Sequence, residues 1–116
     1  MVNRPKRKGD KGEREAAQLI YDLTGFPARR KLGAGRTDDT GDLDGVPDHA
    51  IQVADWEDVR AAVIQKPRGA EAQRINACAT HAATFVRFRG GIWRVVLLPE
   101  HWATLVREAI PLPSQK

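Results

Sequence analysis

The strongest structural constraint in this sequence is a hairpin signal in its C-terminal third. Two runs rich in β-branched and aromatic residues, ATFVRFR and IWRVVLL, flank the pair Gly90-Gly91. Such runs favour strands, and two glycines between them supply the positive φ angles of a tight turn. A lone hairpin is marginal in water, so the rest of the chain is expected to supply further strands or helices that pack against it.

The N-terminal part of the chain has the pattern of a helix. Apolar residues recur at helical spacing over 16–23. Asp10 is a good N-cap, with Glu13 three residues later as in a capping box, and Gly25 is a typical C-terminal stop. The pattern therefore predicts a helix that begins near Asp10 and ends before Gly25.

Three short strands are predicted next, over 27–32, 42–43 and 50–54. Between the first two lies 33–41, GAGRTDDTG, which has three glycines and no large apolar side chain. This composition is typical of a loop.

Two helices are expected between the strands and the hairpin. One covers 56–66 and stops at Pro67, because proline disrupts a helix interior. The other covers 70–79, and a last helix begins at Pro99, a residue that suits a first helical position. The expected inward positions of the 70–79 helix are Ala72, Ile75, Cys78 and Ala79.

Taken together, the elements predict an α/β fold with one mixed central β-sheet flanked by helices. The 116 residues suffice for one domain. We expect a basic N-terminal arm at 1–10, a single α/β domain at 11–110 and a C-terminal tail at 111–116.

Charge favours an acidic partner. The chain has 19 Lys and Arg against 15 Asp and Glu, a formal net charge of +4, which suggests nucleic acid. A merely solvated basic face remains an alternative. One cysteine excludes an internal disulfide, and no apolar run is long enough for a membrane span, so neither a membrane partner nor an oxidising compartment is expected. The candidate DNA contacts are Arg4, Lys6, Arg7, Lys8, Lys11, Arg29, Arg30, Lys31 and Arg36.

Three segments carry a resemblance to a known family. They are KGEREAAQLIYDL at 11–23, the step Gly41-Asp42-Leu43 after a glycine-rich loop, and the strand Ile51-Gln52-Val53-Ala54. In this order they resemble the archaeal-type Holliday junction resolvases and their phage-encoded relatives, within the PD-(D/E)XK nuclease superfamily. The resemblance implies a restriction-endonuclease-like core.

The resemblance also implies a site. Asp42 and a carboxylate at position 52 would hold Mg²⁺ or Mn²⁺, a lysine at position 54 would assist the attack of water, and Glu13 would add a ligand or a water contact. This sequence departs from that pattern at two places, because it has Gln52 and Ala54. Glu13 as a helix cap, Asp42 as a turn cap and Gln52 as a half-buried amide are alternative interpretations.

The two departures predict a catalytically degenerate nuclease fold that needs no cofactor. It is expected to be phage-encoded and used for assembly or DNA binding, for example as a head-to-tail connector component of the virion. The alternative is an active endonuclease with a rearranged site, in which Lys66 replaces the missing lysine and Asp44 joins Asp42 on the metal. Expected partners are DNA, phage structural proteins and further copies of the chain in the host cytoplasm or the virion, with no small-molecule substrate.

Overall fold

The structure is a computed structural model that describes residues 4–31 and 41–113. These residues form an α/β architecture with a five-stranded mixed sheet in the order β1-β2-β3-β4-β5, in which only β3 and β4 run parallel. None of the described helices is long and apolar enough to cross a lipid bilayer. The elements are α1 (Arg4–Thr24), β1 (Arg29–Arg30), β2 (Leu43–Asp44), β3 (His49–Ala54), α2 (Val59–Asn76), β4 (His81–Phe88), β5 (Ile92–Val96) and α3 (Pro99–Ala109).

The predicted hairpin is confirmed. β4 and β5 are antiparallel, with Phe88 opposite Ile92. Both turn glycines have positive φ angles, 82° at Gly90 and 76° at Gly91, which residues with a side chain rarely adopt. The last helix, α3, also begins at Pro99 as predicted.

The first helix ends as predicted but begins earlier. Gly25 has a φ of 82° and donates its N–H to the Tyr21 carbonyl at 2.8 Å, which closes the last turn. The predicted start near Asp10 is wrong, because the helix begins at Arg4. The capping pattern at Asp10 therefore lies inside a longer helix, and residues 4–10 of the expected arm are helical.

The segment after β3 is one helix rather than two. α2 continues through Pro67, which is buried within it. Proline in a helix interior removes one hydrogen bond and costs about 3 kcal/mol, so packing of the helix against the sheet must outweigh that loss. The prediction of two helices is wrong for this reason.

The prediction of which residues of this segment face inward is also largely wrong. Ala62, Ala70 and Gln73 are buried, as is Ala79 just beyond the helix, whereas Ile75 is 59 % exposed. The other two expected inward residues, Ala72 and Cys78, are exposed too.

The core is divided between the two faces of the sheet by the alternation of β3. Ile51 and Val53 pack in one cluster with residues of α1. Ala54 packs in a second cluster with Ala62 of α2. Residues at even positions of β3, which include Gln52, therefore face α2, and their odd neighbours face α1.

Candidate functional site

Asp42 lies directly against β3. Its backbone N–H donates to the Ile51 carbonyl at 2.7 Å, and its Oδ2 accepts the Val53 N–H at 2.8 Å. The two bonds involve the residues on either side of Gln52. The segment before β2 thus brings Asp42 beside the backbone of the strand that carries Gln52 and Ala54.

Glu13 lies close enough to Asp42 to feel its charge, but it comes from α1, on the face of the sheet opposite Gln52 and Ala54. Its Oε1 accepts from Arg30 Nε at 3.0 Å, and Arg30 Nη2 also bonds Asp10 Oδ1 at 2.7 Å. Burial raises the pKa of Glu13, the hydrogen bond from Arg30 opposes that rise, and the negative charge of Asp42 adds to it. Arg30 therefore supplies one positive charge to a region that contains the carboxylates of Asp10, Glu13 and Asp42.

Gln52 is packed against the backbone of α2. Its residue is 6 % exposed, and a Cβ placed on Gly69 would lie only 3.3 Å from Gln52 Oε1. Within the part of the chain that the structure describes, this Oε1 accepts no hydrogen bond. The amide is thus a buried side chain for which a glycine in α2 leaves just enough room.

Ala54 is completely buried, at 0 % exposure, in the cluster with Ala62 and Val86. A lysine at this position would have to displace those side chains. The other lysine candidate, Lys66, is partly buried one turn after Ala62. Its Nζ lies 5.1 Å from the centre of the Trp56 ring, a distance suited to a cation–π contact.

The divalent metal that the resemblance implies does not fit the residues present. Gln52 is a neutral amide packed against a helix, and Glu13 is already engaged by Arg30. Asp44 is exposed, accepts the N–H of Gly45 at 2.9 Å and lines a different cleft beside His49. Among the residues described, no group of three or more His, Cys, Asp or Glu side chains could hold a metal ion.

The predicted DNA contacts differ in whether other residues of the protein already engage them. Arg30 is engaged by two carboxylates, and Lys11 lies 4.0 Å from Glu15. Arg29 is exposed and has no ion pair within 4–31 and 41–113. Lys31 donates its backbone N–H to the Asp42 carbonyl at 3.0 Å. Arg36 lies outside the described residues, and Arg4, Lys6, Arg7 and Lys8 are in α1.

Sequence analysis missed several residues of this region. The Arg30 contacts with Asp10 and Glu13 join positions 20 and 17 residues apart, so no local pattern indicated them. Gly69 was missed because a glycine in a helix gives no sign of what it packs against. Arg14 and Tyr21, which line a cleft with Arg29, could have been found from their spacing of seven on one helix.

No protein-family model matches this chain, and no curated protein or solved structure is significantly similar to it.

Proposed function

We propose that this chain binds DNA through a nuclease-type core that does not cleave it. The observation that carries the proposal is the packing of Gln52 and Ala54 against α2, at the two positions where the resemblance requires a carboxylate and a lysine. The mixed sheet with α1 on one face and α2 on the other supports the proposal, because the resemblance implies a restriction-endonuclease-like core with a mixed sheet flanked by helices.

The chemistry of the site supports loss of cleavage. Hard divalent cations need negatively charged oxygen ligands, and Gln52 offers only a neutral amide. Ala54 offers no cation to stabilise developing charge on a phosphate. Glu13 is already paired with Arg30 within the protein, so an internal cation engages this carboxylate.

The surface supports DNA binding. The formal net charge is +4, and a set of exposed arginines has neither an ion pair nor a side-chain hydrogen bond in the described ranges. Phosphates attract such side chains regardless of base sequence, so binding should be electrostatic and independent of sequence. These arginines are Arg14, Arg29, Arg60, Arg68 and Arg89.

Fluorescence anisotropy with labelled duplex, flap and four-way DNA tests the proposal, together with a cleavage assay in Mg²⁺ and in Mn²⁺. We expect binding that weakens steeply with salt and no cleavage of any substrate. Cleavage that disappears in the Asp42→Ala variant would overturn the proposal. An absence of DNA binding at low salt would overturn it as well.

An active endonuclease with a rearranged site is a second candidate, favoured by the position of Lys66. This residue lies on α2 between Ala62, which contacts Ala54, and Gly69, which contacts Gln52. A lysine there stands near the two substituted positions. Cleavage by the wild type that is lost in Lys66→Met but kept in Arg68→Met, an exposed cation two residues away, would favour this candidate.

A further inference from the structure

A cleft of about 510 Å³ lies between the C-terminal half of α1 and the segment that leads into β1. From α1 it is lined by Arg14, Ala17, Gln18 and Tyr21, and from the other side by residues 27–30. Positions 14, 17, 18 and 21 recur at helical spacing, so they share one side of α1. The cleft is separate from Gln52 and Ala54, which face α2.

The turn after α1 creates this cleft. Gly25 adopts a left-handed φ of 82°, and the Thr24 hydroxyl accepts the Phe26 N–H at 3.1 Å. The Ala28 N–H then donates to the Phe26 carbonyl at 2.8 Å. These bonds reverse the chain and lay 27–30 alongside the helix that precedes it.

The lining combines apolar groups, one aromatic ring and positive charge. Ala17, Pro27 and Ala28 provide apolar surface, and Tyr21 is 53 % exposed. Arg14 and Arg29 are exposed and form no ion pair with any described residue, and no acidic side chain is among those lining the cleft. A ligand that suits this combination has a flat ring for Tyr21 and negative charge on both sides of it.

Positive residues continue along the same side of α1. Arg4, Arg7, Lys11 and Arg14 follow one another at intervals of three or four, which places these positions on one side of the helix. The 21 residues of α1 span about 31 Å. A phosphate backbone that follows this side of the helix would arrive at the Tyr21 cleft.

We propose that the cleft binds an unpaired nucleotide of a DNA strand. The base stacks on the ring of Tyr21, and the flanking phosphates pair with Arg14 and Arg29. Stacking on an aromatic ring is tolerant of base identity, which suits a protein without a base-reading motif. The inference rests on the proposed DNA binding and adds to it a preference for DNA that has a single-stranded part.

The experiment compares a blunt duplex with the same duplex carrying a single-stranded tail, by fluorescence anisotropy. The wild type should bind the tailed DNA more tightly. Tyr21→Ala should lower that affinity by roughly 5- to 150-fold, the range expected for one stacked base, and leave the blunt duplex unchanged. Tyr21→Phe should retain tailed binding, because it keeps the ring. Leu23→Ala removes an exposed apolar side chain of the same helix outside the cleft and should change nothing.

Two further measurements separate stacking and charge from a structural effect. A 2-aminopurine base in the tail should be quenched by wild type and by Tyr21→Phe, but not by Tyr21→Ala. Replacing Arg14 or Arg29 by alanine should reduce the dependence of log affinity on log salt by about 0.7 for each phosphate that the variant no longer neutralises.

The outcomes distinguish this inference from the proposed function. If blunt and tailed DNA bind equally and Tyr21→Ala weakens neither, the Tyr21 site is wrong and DNA binding stands. If Leu23→Ala weakens tailed binding as much as Tyr21→Ala does, the cleft is not the site. If neither DNA binds, the proposed function is wrong and this inference with it.

Discussion

The two faces of the central sheet are packed by different chemistry. On one face, apolar residues of α1 such as Ile20 pack on Ile51 and Val53, and charged pairs lie around them. On the other face, small residues of α2 such as Ala62 pack on Ala54, with Gln52 buried beside them. The side chains at positions 52 and 54 therefore lie on the face of the sheet that α2 covers.

The α2 face retains polar groups without partners. Gln52 and Thr84 lie opposite each other on β3 and β4, so they share a face. Gln52 Oε1 and Thr84 Oγ1 are both buried, and neither has a hydrogen-bond partner among the described residues. A buried polar atom without a hydrogen bond costs about 1–3 kcal/mol. Gln52 and Thr84 therefore make the α2 face less stable than apolar side chains of the same shape would.

Charges around the α1 face, in contrast, are paired. Arg87 of β4 donates to Glu15 of α1 at 3.0 Å, and this bond lowers the pKa of Glu15. Arg30 likewise forms ion pairs with Asp10 at 2.7 Å and with Glu13 at 3.0 Å. The two faces thus differ in their polar groups: charged side chains around the α1 face are paired, whereas buried oxygens of Gln52 and Thr84 on the α2 face have no partner among the described residues.

The largest effect should come from placing a lysine at position 54. Ala54→Lys forces a long charged side chain into a fully buried position, and it should destabilise the protein by at least about 3 kcal/mol. Ala72→Lys, on the exposed side of α2, is the matched control and should stay within about 0.5 kcal/mol of wild type. Urea denaturation measures both. A stable Ala54→Lys variant would show that this face is open.

Charge at position 52 should have the next largest effect. Gln52→Glu buries a carboxylate beside Gly69 and should destabilise the protein by about 2 kcal/mol or more at pH 7. Gln52→Met removes the unsatisfied oxygen and should change stability by less than about 1 kcal/mol.

The pH dependence of the stability of Gln52→Glu tests whether burial of the carboxylate causes the destabilisation. Burial raises the pKa of a carboxyl group above its unfolded value of about 4.3. The destabilisation should therefore be complete above the folded pKa and should disappear below about pH 4, where both states are protonated. A stability difference that does not change between neutral and acidic pH would exclude burial of the charge.

Substitutions around the α1 face should change the stability less. Arg30→Met leaves Asp10 and Glu13 without their counter-charge and should cost about 1–2 kcal/mol, because the three side chains are still 22–28 % exposed. Adding Glu13→Gln should restore part of the loss. The neighbouring change Arg29→Met removes an exposed cation and should be nearly neutral. Equal losses in the two arginine variants would contradict the role given to Arg30.

The smallest effect on stability should come from replacing Glu71, a residue of α2 whose carboxylate bonds His101 of α3. Hydrogen bonds from Arg74 and then His101 lower the pKa of Glu71 to about 2. The stabilisation that the Glu71 carboxylate provides is therefore present above its ordinary pKa of 4.5, and it is lost as the pH falls through about 2. Because the side chain is 33 % exposed, we expect less than about 1 kcal/mol. Glu71→Gln should be less stable than wild type near neutral pH, and the gap should narrow in strong acid.

Features that depend only on neighbouring residues could be predicted from the sequence. The Gly90-Gly91 turn, the end of α1 at Gly25 and the start of α3 at Pro99 follow from backbone preferences of single residues. The α/β class followed from the order of strand and helix patterns. The sequence also showed directly that Gln52 and Ala54 are not the residues that the nuclease resemblance requires at these positions.

Tertiary structure decided how α2 packs and what surrounds the candidate site. Apolar periodicity predicted that Ile75 and Cys78 face inward, but the side of α2 that approaches β3 carries Ala62 and Gly69 instead, and both predicted residues are exposed. The same packing carries the helix through Pro67. Arg30 meets Glu13 only because the Gly25 turn folds β1 back along α1. Contacts of this kind join residues far apart in the chain, so their energies leave no local pattern in the sequence.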